Sequence, residues 1–272
     1  MRFKITFDII GENNILPINY QYELSSWIYK ILDNGNPEFS NWLHNIGYIN
    51  NNKRFKLFTF SKLYINSELI HNNINGEKDR LKIKDNNIEC IISFHIEEAI
   101  ETFIIGIFSQ QQFTLGDRIS TVLLQVKTVE KINEPEFKEE MIFETISPIV
   151  VCKNLIKIYD EKKEFNCIYL SPEDINYEEF FINNMISKYI SIFDRNNFNN
   201  SIFESNEIKF EAITKSKSKL ITIKSDTTEQ SKVKGFMFNF KLIAPKELMK
   251  LCYNSGFGEK NSMGFGFVNI LK

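Results

Sequence analysis

Four cysteines in 272 residues, Cys90, Cys152, Cys167 and Cys252, lie far apart and form no C-x-x-C pair. A structural zinc site is therefore not expected, and reduced thiols in a cytoplasm are. No apolar stretch is long enough to cross a bilayer, which argues against a membrane partner. The opening Met1-Arg-Phe-Lys-Ile-Thr-Phe alternates instead of forming the apolar block of a signal peptide. Known phosphate loops are missing as well. No Gly-Lys-Ser/Thr ending marks a P-loop. In the one glycine-rich segment, Asn261 stands where a dinucleotide loop needs its third glycine, and a short apolar strand follows instead of a helix. No carboxylate-rich metal motif is present, so neither a metal nor a cofactor is expected.

What the chain does have is core material and uneven charge. Hydrophobic residues make up 43% and charged residues 25%, with 25 phenylalanines, enough for one large or two small domains. Net charge is only −2. Its distribution is less even. Residues 1–129 carry 13 basic and 14 acidic side chains, residues 130–208 carry 8 and 16, and residues 209–272 carry 12 and 5. An electropositive face in the C-terminal part follows.

Residues 2–10 alternate as a strand, with Phe3, Ile5, Phe7 and Ile9 on one face. A helix is expected over 20–33 through Leu24, Ile28, Ile31 and Leu32. Asn36-Pro37 starts a second helix buried through Phe39, Trp42 and Leu43. Strands are expected at 55–60, 63–70, 81–84 and 88–94, a helix at 97–108, and strand again at 111–131. Pro135, in the acidic stretch Glu134–Glu140, marks the expected junction between domains 1–134 and 135–272. The second half repeats the order: strands near 141–151 and 153–158, a helix near 174–193, strands near 207–224 and 233–243, a helix from Pro245 to Tyr253 and a last strand, 265–271. Each half reads as β-α-β-β-α-β, an α+β fold of antiparallel sheets with helices on one side.

Two segments point to an anionic partner. Gly256, Gly258, Gly264 and Gly266 fall within eleven residues around Lys260, Asn261 and Ser262. Such a run can offer backbone N–H groups to phosphate oxygens. A plain turn with a tightly packed last strand is the alternative. Lys215, Lys217 and Lys219 alternate with Ser216, Ser218 and Leu220, so the three lysines share one strand face, and Lys224, Lys232 and Lys234 lie nearby. This ladder reads as a backbone-phosphate track or as a charge-guarded edge strand.

The segment Gly256-Phe-Gly-Glu-Lys-Asn-Ser-Met-Gly-Phe-Gly266 resembles the C-terminal glycine-rich loop of the CRISPR-associated endoribonucleases that cut repeat RNA into guide units. The first strand and the helix into Trp27-Ile-Tyr-Lys-Ile31 are similar to that family's opening. Asn36-Pro37, Trp42-Leu-His44 and Lys56-Leu-Phe-Thr-Phe60 resemble the stretch that holds its active site, and Thr145-Ile-Ser-Pro-Ile149 the start of its second domain.

The resemblance implies two tandem ferredoxin-like domains and metal-independent cleavage of CRISPR repeat RNA, in which a ribose 2′-OH attacks the adjacent phosphate. It places Tyr29, His44 and Lys56 at the catalytic positions. His44 suits a general acid, because an imidazole changes charge near neutrality. Tyrosine ordinarily ionises near 10, so Tyr29 needs depression by Lys56 to act as base; otherwise it positions the 2′-OH. Lys53, Arg54 and Lys56 form one basic group, and Asn50-Asn51-Asn52 lengthens the loop before it, so Lys53 and Lys56 both compete for the catalytic lysine position. RNA contacts are expected from Lys53, Arg54, Lys215, Lys217, Lys219, Lys224 and the glycine-rich segment. The resemblance leaves room for other subunits of a CRISPR interference complex and for a homodimer. Two other functions stay open: a non-catalytic RNA-binding subunit, and a nucleotide- or phosphometabolite-binding enzyme.

Overall fold

The computed structural model describes residues 1–70, 80–159, 162–192, 208–225 and 228–271, and for 154–159 and 162–166 the backbone alone. The first half is built on a five-stranded antiparallel sheet. Its spatial order is Phe58–Phe60, Asn87–Phe94, Arg2–Ile9, Thr121–Ile132 and Gln112–Gly116. The alternation in Arg2–Ile9 sends Ile5 and Phe7 into the core. Helices α1 (Gln21–Gly35) and α3 (Glu97–Ser109) pack together. Gly35 and Gly106 permit that approach, since a Cβ on Gly106 would lie 1.8 Å from the Ile31 carbonyl oxygen.

Helix α2 (Pro37–Asn45) starts at Asn36, whose side chain accepts a hydrogen bond from the Phe39 N–H at 3.1 Å, with Pro37 at the first helical position. Past its end, Gly47 takes φ +66°, the left-handed geometry that glycine adopts without cost. The expected strand 55–60 is broken. Lys53–Phe55 pairs with Tyr48–Asn50 in a tight hairpin, and Leu57, at φ +54°, separates it from Phe58–Phe60.

A four-stranded sheet carries the second half, in the order Lys209–Ala212, Asn239–Ile243, Glu140–Thr145 and Val268–Ile270. Helices α4 (Tyr177–Ile192) and α5 (Lys246–Ser255) complete it. In both halves the first and third core strands lie at the centre, flanked by the fourth and second, which is the ferredoxin-like arrangement. Two hairpins are inserted: Cys152–Tyr159 with Lys162–Tyr169, and Lys217–Ile223 with Ser231–Met237. Residues 193 and 207, the expected ends of a helix and a strand, lie outside the described residues.

The reduced-thiol expectation is corrected for one pair. Cys152 and Cys167 form a disulfide with Cα atoms 5.8 Å apart, because they sit diagonally across the first inserted hairpin. Cys90 and Cys252 are free and buried.

Side chains of the first half hold the C-terminal segment directly. Arg2 is buried, donates to the carbonyls of Tyr253 at 2.7 Å and Val268 at 2.8 Å, and lies over the Tyr253 ring. Ser93 Oγ donates to Asn254 O at 2.8 Å, Thr59 Oγ1 to Phe265 O at 3.0 Å and Ser25 Oγ to Ser262 O at 2.6 Å. Each bond satisfies a carbonyl that the seam would otherwise leave unpaired.

Candidate active site

The end of α2 sets the geometry. Phe39 and Leu43 turn into the core, which leaves His44 exposed one position on. The ring of Tyr29, on α1, meets the His44 ring edge-on with centroids 4.9 Å apart and packs against Phe58 on its other side. Lys56, in the break just after the Lys53–Phe55 strand, reaches back and donates to the carbonyls of Leu43 and His44, the latter at 2.8 Å. Gly47 makes that reach possible, because a Cβ there would meet the Lys56 ammonium at 3.1 Å and the Phe55 carbonyl oxygen at 2.5 Å. Lys56 thus caps the helix end, where cations are favoured. Tyr29, His44 and Lys56 are brought together by three separate elements.

Burial shapes two of these groups. It pulls the Lys56 ammonium down to about 8, with the Arg54 charge acting in the same direction. Burial also pushes the Tyr29 phenol up to about 12, against a hydrogen bond with the Ser262 hydroxyl. The depression of Tyr29 by Lys56 is therefore absent: desolvation sets the direction, and the Ser262 hydroxyl is what opposes it.

A cleft of about 290 Å³ opens at Lys56, between the Lys53–Leu57 segment, α4 and the glycine-rich segment; Tyr29 reaches its wall through the bond to Ser262, and His44 does not line it. Lys53, Arg54, Lys56, Lys188 and Lys260 line it against the single carboxylate of Glu259. Burial raises the Glu259 pKa while Lys53, Lys260 and Lys188 oppose the rise.

The glycine-rich segment differs from an open amide cradle. All four glycines are buried. The N–H groups of Phe257, Glu259, Met263, Gly264 and Gly266 donate to Gly266, Val150, Lys260, Asn261 and Pro148 carbonyls at 2.7–3.0 Å. Gly264 lies against the first half, where a Cβ would meet the Phe60 ring at 2.5 Å. Asn261, also buried, donates to the carbonyls of Phe257 at 2.9 Å and Phe265 at 3.0 Å. Close packing and positive φ call for glycine at these four positions.

Sequence reasoning missed Lys188. The residue is 1% exposed, and its ammonium donates to Gly256 O, to Gly258 O at 2.8 Å and to Asn261 Oδ1 at 2.7 Å. Burial pulls it down to about 8. The signal was legible: Asn184 and Lys188 fall at helical spacing among Phe181, Met185 and Tyr189, on the buried side of α4.

The lysine ladder lies apart from the cleft. Lys217 and Lys219 are exposed at one end of the second inserted hairpin, and Lys215 precedes the strand. Further along, Ile221, Ile223 and Val233 pack with Val150 and Phe265 of the glycine-rich segment. Lys224 is paired with Glu229 at the hairpin turn.

These features define a tandem ferredoxin-like protein, closed by a C-terminal loop, with a basic cleft at the seam. Residues 15–127 match the model of the CRISPR-associated protein Cas6 N-terminal region, and residues 132–270 that of the Cas6 C-terminal region. The chain is similar to the CRISPR-associated endoribonuclease Cas6 1 of Methanocaldococcus jannaschii, at 31% identity over 97% of this chain and 91% of the relative. It is also similar to the solved structure from a Cas6-related gene of Pyrococcus furiosus, at 26% identity, with a TM-score of 0.74 and coverage of 100% of this chain and 98% of the other. A third structure, of a CRISPR-associated protein Cas6, matches at 26% identity and a TM-score of 0.70, covering 100% and 99%. The chain belongs to the Cas6 family.

Proposed function

We propose that this protein is an endoribonuclease that binds CRISPR repeat RNA and cuts it into guide units without a metal ion. The observation that carries the reading is the meeting of Tyr29, His44 and Lys56, with Lys56 on the wall of a basic cleft. A family relative named a CRISPR-associated endoribonuclease supports it.

The chemistry needs no attacking water. The 2′-oxygen attacks the neighbouring phosphorus as its proton passes to solvent, and the phosphorus–5′-oxygen bond breaks. Products are a 2′,3′-cyclic phosphate and a 5′-OH. His44, exposed and free to approach a leaving group, gives the 5′-oxygen its proton. Lys56 stabilises the charge that builds on the phosphorane oxygens. Tyr29 stays protonated, given its raised pKa, and orients the 2′-OH through its own hydroxyl. Lys53, Arg54, Lys260 and Ser262 hold the flanking strand in the cleft. The glycines shape the loop that presents Lys260 and Ser262. The junction near Pro135 separates a catalytic first domain from a second domain that supplies the loop and the lysine hairpin.

The test is incubation with the repeat RNA of its own array in excess EDTA. Wild type is expected to give cyclic-phosphate and 5′-OH ends. His44→Ala is expected to lose at least about a hundredfold in cleavage rate with RNA affinity nearly unchanged. Near-normal turnover in that variant removes the assignment. Binding by wild type without any cleavage makes the protein a guide-RNA subunit instead.

A further inference from the structure

We propose that the basic cleft is a single-nucleotide subsite in which Asn184 reads one base of the RNA, an adenine, beside the cleavage centre. The inference rests on the endoribonuclease reading and deepens it.

Asn184 lies on α4, 2% exposed, and lines the cleft. Neither its Oδ1 nor its Nδ2 has a hydrogen-bond partner among the described residues. Buried amides are nearly always paired, so a shielded amide with both atoms unpaired calls for a partner, and the cleft that Asn184 borders is where one can enter. One turn along, Lys188 directs its donors into the glycine-rich loop and so leaves this amide uncontested.

Glu259 is the one carboxylate on the cleft wall, set among Lys53, Lys188 and Lys260. A carboxylate accepts from amino groups, so Glu259 suits the edge of a base while the surrounding cations suit its phosphates. Phe55 is the aromatic residue on that wall. The volume of about 290 Å³ is close to the ~300 Å³ lower end of small-ligand sites, the size class of one nucleoside. An asparagine amide pairs bidentately with adenine, accepting from N6 and donating to N7.

The test replaces each adenosine of the repeat RNA in turn by purine riboside, which lacks the 6-amino group. Affinity is read by anisotropy in the His44→Ala background, and cleavage in the otherwise native protein. One replacement is expected to weaken binding about tenfold or more with Asn184 present, and to have no further effect in Asn184→Ala. Asn184→Leu, similar in volume and lacking both polar atoms, should lose the same discrimination, and it carries the test if the alanine variant fails to fold. If RNA is bound and cut but every replacement is felt equally with and without Asn184, the subsite is overturned and the endoribonuclease reading stands. If no RNA is bound at low salt, both fall.

Discussion

The glycine-rich loop and the lysine-bearing hairpin sit in the same half, touch each other through Phe265, Ile221 and Val233, and both read from sequence as places for a polyanion. They are built on opposite principles. In the loop every glycine is buried, five amides donate inward, and a fully buried lysine ties three acceptors together. In the hairpin, Lys217 and Lys219 stand exposed at the end of a two-stranded sheet that buries Ile221, Ile223 and Val233. Glycine density here reports how closely backbone must approach backbone. Lysine density reports charge that water can reach. The first is an architectural constraint on where Ser262 and Lys260 sit; the second leaves folding untouched and is available to a ligand.

The sharpest way to break this contrast is Gly266→Ala. At φ +75° its new Cβ would lie 1.9 Å from the Phe257 carbonyl oxygen, a backbone atom that cannot swing away. A loss of about 3 kcal/mol or more in urea unfolding is expected. A loss below about 1 kcal/mol would mean that the loop is not locked. Lys188→Met comes next. It leaves Gly256 O, Gly258 O and Asn261 Oδ1 without their shared donor, at a cost of about 3 kcal/mol after some relaxation. Cleavage should fall with it, because Ser262 and its bond to Tyr29 move with the loop. Normal stability and normal cleavage together would make Lys188 an incidental contact.

How far the sequence reached follows the same division. Alternation in Arg2–Ile9 and the Asn36-Pro37 start of α2 fixed those elements closely, because local pattern and local capping decide them. The break at Leu57 was not legible, since a positive φ in a leucine is imposed by its surroundings. Tyr29, His44 and Lys56 were named from family likeness; no local rule predicts that a lysine twelve residues on caps the helix bearing the histidine. Lys188 and Asn184 were missed although they lie on the apolar stripe of α4. Polar residues on such a stripe are buried by packing, and only the fold reveals that one is satisfied three times over and the other not at all. The Cys152–Cys167 pairing depended on hairpin register, which spacing alone does not fix.

The smallest effect sharpens the contrast from the other side. Lys217 and Lys219 share a face of the hairpin with Ile221 and Ile223, but they stand beyond that buried pair. Changing both to Gln removes two charges and no packing, so urea unfolding should not shift. If the hairpin tracks the RNA backbone, each lysine releases counterions on binding. The slope of log affinity against log salt should then flatten by about 1.4, two contacts at ~0.7 each for single-stranded RNA. Affinity at low salt falls and affinity at high salt converges with wild type. An unchanged slope would assign the ladder to solubility, guarding the exposed end of a two-stranded sheet against pairing with other chains. The cleft's own cations, Lys53, Arg54 and Lys260, would then carry the whole salt dependence.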